Sequence, residues 1–290
     1  IPSRRPKTSN ITCACGICLG LIPMTKFIDP HCHGIPAVDD GVQSDESALI
    51  MLQQAGESQI RLVFMTPHVI KDGKYFPDKA LLETKLKGLQ KQIKDHDLPL
   101  EVKLGCEIMI TEDGLKMIQD EDYWGYQDTN YVLIEFMPPL DEKLIQDALY
   151  ELKRQGKRIV IAHPERYFSD PKIALKQVKT WKQEGVCFSL NKTSLFATKK
   201  ASTCLVAKAL LEANLIDLVA TDAHHAPGRR ECRLKEAHQE LIRLYGLEAA
   251  DRLCIHNPQL LSENKALETT RIPNHPWARL VRSIKFRQAQ

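Results

Sequence analysis

The 290-residue chain has no run of about 18 apolar residues, the length a membrane-crossing helix needs. Its nine cysteines lack the even spacing of a disulfide framework. They read as reduced thiols, which makes the cytoplasm the expected compartment. No cysteine is followed by an arginine six positions later, which excludes the phosphatases that build a thiolate loop from that spacing. The opening "SRRPK … ITCACGICLGLIP" imitates the basic and apolar parts of a leader but lacks a convincing small-residue cleavage site. Met24, just before "TKFIDPHCH", resembles a natural start, so residues 1–26 read as an upstream extension. Cys13, Cys15 and Cys18 lack a nearby fourth ligand for a thiolate metal site.

Charge is distributed unevenly. Residues 1–26 carry Arg4, Arg5, Lys7 and Lys26 without an acid, and residues 268–290 carry five basic residues against Glu268. The whole chain is only +3, so the body between the tails is net acidic. That counts against a nucleic-acid partner, which calls for a basic, aromatic-lined path. The tails themselves read as solvated segments.

The body alternates short β-rich runs with longer amphipathic ones. Strands are expected at 26–29, 61–66, 101–107, 131–136, 158–163, 186–191 and 217–222, most of them nearly continuous apolar runs suited to burial on both faces. Helices are expected at 44–59, with Ser44 as N-cap, at 77–96, opening on Pro77, and at 141–156, 171–185, 203–215 and 231–246. Seven strand–helix units predict an α/β protein with a parallel sheet, either a barrel or a doubly wound sheet.

Each expected strand ends in a polar group, and most of these can bind metal: Asp29 with His31 and His33, Thr66 with His68, Glu107, Glu135, His163, Asn191, and Asp222 with His224. In parallel α/β folds, functional groups gather at the C-terminal strand ends. His31 and His33 stand two apart, so in a strand they project to one side, and Asp40 returns from the next loop. Imidazole and carboxylate ligands favour Mn, Fe or Zn over Cu(I) or an iron–sulfur cluster, with Mn the best match. Several adjacent ions suit phosphate-ester hydrolysis. Arg166, three residues after His163, and Arg229, seven after Asp222, are placed for phosphate recognition, with Arg230 adjacent.

The ordered set "DPHCH … DDG … TPH … E … E … HPERY … TDAHH" resembles the polymerase and histidinol phosphatase superfamily. Within it the chain is similar to the bacterial tyrosine-protein phosphatases of capsule and exopolysaccharide loci. The resemblance runs from about Phe27 to Leu267 and implies a phosphatase domain at 27–267, with a basic C-terminal tail at 268–290. It implies a distorted seven-stranded parallel β/α barrel holding three metal ions, usually manganese. His31, His33, Glu107 and Asp222 would hold the first ion. Glu107 would bridge to a second, held also by Glu135 and His163. Asp40, His68 and His224 would hold the third, and Arg166 and Arg229 would bind phosphate.

The implied reaction is attack on phosphotyrosine by a metal-bridging hydroxide, without a covalent enzyme intermediate. The implied substrate is an autophosphorylating tyrosine kinase; the resemblance leaves room for a homo-oligomer. "DPHCH" departs from the family in Pro30 and Cys32, and "TPHV" has a single histidine where a second often follows. Two rivals stay open: another phosphoesterase of the superfamily, such as a histidinol-phosphate phosphatase, and an inactive kinase-binding scaffold.

Overall fold

The computed structural model describes residues 27–269, apart from 72, 199, 200, 227 and 229. The N-terminal extension, its three cysteines, most of the basic tail and Arg229 therefore lie outside the described residues. Among the described residues, nine parallel strands make two sheets. The first has the order β1 (Phe27–Cys32), β2 (Ile60–Met65), β4 (Glu101–Leu104). The second runs β3 (His68–Val69), β5 (Glu107–Met109), β6 (Tyr131–Glu135), β7 (Arg158–Ala162), β8 (Cys187–Asn191), β9 (Leu218–Ala220).

Nine strands appear where seven were expected because two strand positions are interrupted. The run 101–107 breaks at Gly105 and Cys106, and β2 is separated from β3 by Thr66 and Pro67. Proline cannot donate to a ladder, and glycine favours a bend. Hydrogen bonds step across the break, Gly105 N–H to Met65 O (2.7 Å) and Glu107 N–H to Pro67 O (3.0 Å). At the other edge a single parallel bridge joins Cys32 to Ala223.

Side-chain alternation divides each central strand between two cores. In β6, Val132 and Ile134 join the large cluster beneath the helices, while Leu133 faces a smaller cluster with Phe64, Val160 and Leu218. Parallel pairing places Glu107 opposite Leu133 and His68 opposite Glu107. Glu135, two residues after Leu133, shares its face. The apolar face of the smaller core thus turns polar toward the strands' C-terminal ends.

The helices are α1 (Asp45–Glu57), α2 (Lys79–Asp95), α3 (Glu112–Gln119), α4 (Glu142–Arg154), α5 (Pro171–Gln183), α6 (Thr193–Phe196), α7 (Ser202–Glu212), α8 (Lys235–Tyr245), α9 (Leu247–Asp251) and α10 (Asn257–Ser262). Ser44 caps α1 in a reciprocal pair with Ser47. Pro77 lies outside α2 instead of opening it. Asp78 is the cap, its carboxylate accepting from Ala80 N–H (2.7 Å) and Leu81 N–H (3.2 Å). Helices α3 and α6 fall in stretches too short to show a helical period in sequence. No helix among the described residues is long and apolar enough to cross a membrane.

Candidate metal centre

Strand β1 runs through Pro30 by means of a bulge: Asp29 pairs with Val63 but Cys32 pairs with Met65, three residues against two. The strand extends beyond the expected 26–29 and carries His31 into the site, with His33 immediately after it. Their Nε2 atoms stand 3.0 Å apart. Asp222 N–H donates to His31 O (2.8 Å) and His33 N–H to Ala223 O (2.9 Å), so the end of β1 is laced to the segment carrying Asp222 and His224. Gly41 lets the "DDG" loop close onto His33, because a Cβ there would lie 2.1 Å from His33 O.

All nine expected ligands meet here. Glu107 is the hub. Its Oε2 lies 3.2 Å from His31 Nε2, 3.3 Å from His33 Nε2 and 3.1 Å from His68 Nδ1. Its Oε1 lies 2.9 Å from His163 Nε2. Asp222 Oδ1 stands 3.7 and 3.5 Å from the same nitrogens of His31 and His33. Glu135 lies 2.9 Å from His68 Nδ1 and 3.5 Å from His163 Nε2. Asp40 Oδ1 sits between His68 Nε2 (3.4 Å) and His224 Nε2 (3.3 Å). His68 therefore joins two groups: one nitrogen faces Glu107 and Glu135, the other faces Asp40.

Burial and opposite charge pull against each other at the centre. The imidazoles around Glu107 hold it ionised despite burial, which alone would raise its pKa. The same opposition keeps Asp222 below the usual carboxylate range, with His31 and Arg230 as the main counter-charges. Burial would also lower the histidines, yet Asp39 and Glu107 lift His33 to about 9. Glu107, Asp40 and Glu135 lift His68 to about 12, again against burial. His224 goes the other way, to about 4, through burial and the nearby charge of His33. Buried Glu107 Oε2 and Glu135 Oε1 accept no hydrogen bond. An unsatisfied buried acceptor costs about 1–3 kcal/mol, more when charged. Divalent cations would satisfy both oxygens, so the donor set fits hard or borderline metal ions.

Sequence reasoning missed part of the support. Asp39, the first acid of "DDG", accepts from His33 Nδ1 (2.7 Å) and from His68 N–H (3.1 Å). Asn191 Nδ2 donates to Asp222 Oδ2 at 2.5 Å. Buried Glu165 braces the "HPER" turn by accepting from Asn191 N–H (3.1 Å) and Ser194 Oγ (2.8 Å). Arg166 reaches Asp222 Oδ2 at 2.8 Å. Opposite it stands Arg230, 2.5 Å from Asp222 Oδ1; Arg229, expected to bind phosphate, lies outside the described residues. Only the "GRR" doublet hinted at this second arginine.

Residues 27–263 match the family of capsular polysaccharide synthesis proteins CpsB/CapC. The chain belongs to the CpsB/CapC family. It is 31% identical over 246 residues to the tyrosine-protein phosphatase YwqE of Bacillus subtilis, covering 83% of this chain and 93% of that one. It is 27% identical over 240 residues to the tyrosine-protein phosphatase CpsB of Streptococcus pneumoniae, covering 80% and 97%. A solved structure from work on YwqE and CpsB, described there as metal-dependent tyrosine phosphatases, superimposes with a TM-score of 0.74 at 29% identity. The match covers 84% of this chain and 98% of that one. A β-aspartyl dipeptidase of Fervidobacterium islandicum, 13% identical with a TM-score of 0.50, shares the fold alone.

Proposed function

We propose that the chain is a metal-dependent protein-tyrosine phosphatase of capsule or exopolysaccharide synthesis. The observation that carries this reading is the convergence of nine imidazole and carboxylate side chains on Glu107 and Asp222, in a chain of the CpsB/CapC family. His31, His33, Glu107 and Asp222 would hold one ion, Glu107, Glu135 and His163 a second, and Asp40, His68 and His224 a third. The balance of nitrogen and carboxylate donors favours manganese. We read the two sheets as one distorted barrel of seven strand positions, β2 with β3 and β4 with β5 each counting as one interrupted strand. The Cys32–Ala223 bridge supports that closure.

Bound ions would acidify a water and neutralise the ester's charge. The chain's own groups do the rest. Asp39 and Glu107 fix the orientation of His33. Arg166 and Arg230, 35% and 27% exposed, stand at the rim and would offer guanidinium donors to an incoming phosphate, beside Arg229, to which the resemblance gives the same role. Both arginines pair with Asp222, one of the residues that would hold an ion. A phenolate, with pKa near 10, leaves without a strong general acid. The substrate that fits the capsule setting is an autophosphorylating tyrosine kinase. The thiols of Cys32, Cys106, Cys187, Cys204 and Cys232 are not in disulfides, in keeping with the reducing, cytoplasmic location we propose. The domain would occupy 27–267.

The test is phosphate release from a phosphotyrosine peptide after chelation and after Mn is returned, with histidinol phosphate alongside. Activity on the peptide should vanish with chelator, return with Mn, and be absent in His163→Ala. Turnover of histidinol phosphate alone would assign the chain to that branch instead. Metal binding with silence on both substrates would favour the scaffold.

A further inference from the structure

The segment leaving β3 folds back on itself, with Ile70 N–H donating to Tyr75 O at 2.7 Å. The turn brings the Tyr75 ring to 6.0 Å from the His68 ring, with 15° between the planes. His68 belongs to the centre itself, in contact with Glu107, Glu135 and Asp40. Tyr75 thus places an aromatic ring beside the site histidine His68. Tyr167 also touches a site histidine, its ring 5.8 Å from that of His163. That ring is buried, and its hydroxyl is committed to Ala162 O (2.7 Å) and Phe136 N–H (3.2 Å). Tyr75 by contrast is only half-buried. Beside it are Lys74, with its ammonium 4.8 Å from the Tyr75 ring centroid, and Phe76, 44% exposed with Lys71 at 4.6 Å. Lys74 is exposed, and its contact with the ring is one a ligand can displace.

We propose that Tyr75 is a specificity-determining residue that packs against the aromatic ring of an aryl phosphate ester held at the metal centre. This rests on the phosphatase reading and extends it to a residue. In an aryl phosphate the ring begins one ester oxygen from phosphorus; in a serine phosphate that place is taken by a slender methylene. A ligand whose phosphoryl group is held at the centre and by the arginines, and whose ring leaves on the His68 side, would meet Tyr75. Aromatic pairs gain from offset or edge-on packing beyond the area they bury. Lys71 and Lys74 add positive charge to the same rim, favourable to a substrate that carries phosphate.

The experiment compares two non-hydrolysable phosphonates as inhibitors of the Mn-loaded full chain acting on p-nitrophenyl phosphate. Phenylphosphonate presents the ring, and methylphosphonate presents only the charged group. Tyr75→Ala should weaken phenylphosphonate relative to methylphosphonate by about two- to tenfold, the worth of one aromatic pair. Tyr75→Phe should keep most of the wild-type ratio. Mn stoichiometry and melting temperature, measured on each variant, separate this from damage to His68. A general structural role would weaken both inhibitors equally, and an unchanged Ki ratio in Tyr75→Ala overturns the proposal while leaving the phosphatase reading intact. A wild-type chain that hydrolyses no aryl phosphate with Mn bound overturns both.

Discussion

Asp39→Asn tests whether the carboxylate behind the histidines sets the metal affinity. Asp39 Oδ2 takes two donors, His33 Nδ1 at 2.7 Å and His68 N–H at 3.1 Å, while Oδ1 takes Gly41 N–H at 2.9 Å. A carboxylate only accepts, so His33 carries a proton on Nδ1 and its Nε2 faces Glu107. Asparagine has one accepting oxygen and one NH2 group. Turned one way, it sets the NH2 against Gly41 N–H. Turned the other way, it sets the NH2 against His68 N–H and asks His33 to move its proton to Nε2, away from the state that binds metal. Either way a buried bond to a charged acceptor is lost, about 1.5–3 kcal/mol each. Loss of such a partner behind a metal-binding histidine typically weakens metal affinity 10- to 100-fold. The assay is Mn competition against a chromogenic chelator, with phosphotyrosine turnover measured at limiting and saturating Mn. Activity should fall steeply at limiting Mn and recover largely when Mn is raised. An Asp39→Asn chain that keeps wild-type Mn affinity would refute the reasoning, because an uncharged oxygen would then orient His33 as well as the carboxylate does.

Gly41→Ala should destabilise the chain by about 1–3 kcal/mol in urea unfolding, since its new Cβ would fall 2.1 Å from His33 O and 2.6 Å from His33 Cβ. It should also weaken Mn binding, and full tolerance would mean that the loop's approach is not needed. Arg166→Ala should lower kcat/KM for a phosphotyrosine peptide roughly 100-fold, as for loss of one transition-state donor. Arg230→Ala should show a comparable loss, larger than that of Arg229→Ala. The reverse order would give the second phosphate contact to Arg229, as the resemblance implies.

Much of the architecture was legible because each central strand is apolar on both faces and ends in a polar residue. "YVLIE" and "RIVIA" read as buried strands, and so they are. The interruption at Gly105 and Cys106 was not legible, because "EVKLGCE" keeps its apolar pattern across the break. Pro30 was visible as a departure, but the bulge it occupies depends on pairing with β2, which no local signal reports. At the centre, residue type alone picked out histidines and acids at strand ends. The residues that orient them were harder to see. Asp40 was singled out of "DDG" as a ligand, but nothing in the sequence marked Asp39 as the acid that accepts from His33, while Asp40 faces His68 and His224.

The backbone at the centre also departs from anything the sequence signals. His163 has φ 32° and Asp222 φ 49°, both left-handed. Glycine or asparagine usually fills such positions, and other residues cost about 1–3 kcal/mol there. Both are held by hydrogen bonds to neighbouring strands, His163 N–H to Ser189 O (2.7 Å) and Asp222 N–H to His31 O (2.8 Å). A glycine would relieve the strain but remove a ligand that reaches Glu107 or the His31–His33 pair. The strain therefore lies where side-chain chemistry overrides backbone preference. The same reasoning separates the two positions by experiment: His163→Gly and Asp222→Gly should each lose Mn affinity while the metal-free chain loses less stability than with alanine at the same site. Calorimetry of the metal-free variants checks it, and a metal-free glycine variant less stable than its alanine counterpart would show that the turn is not strained.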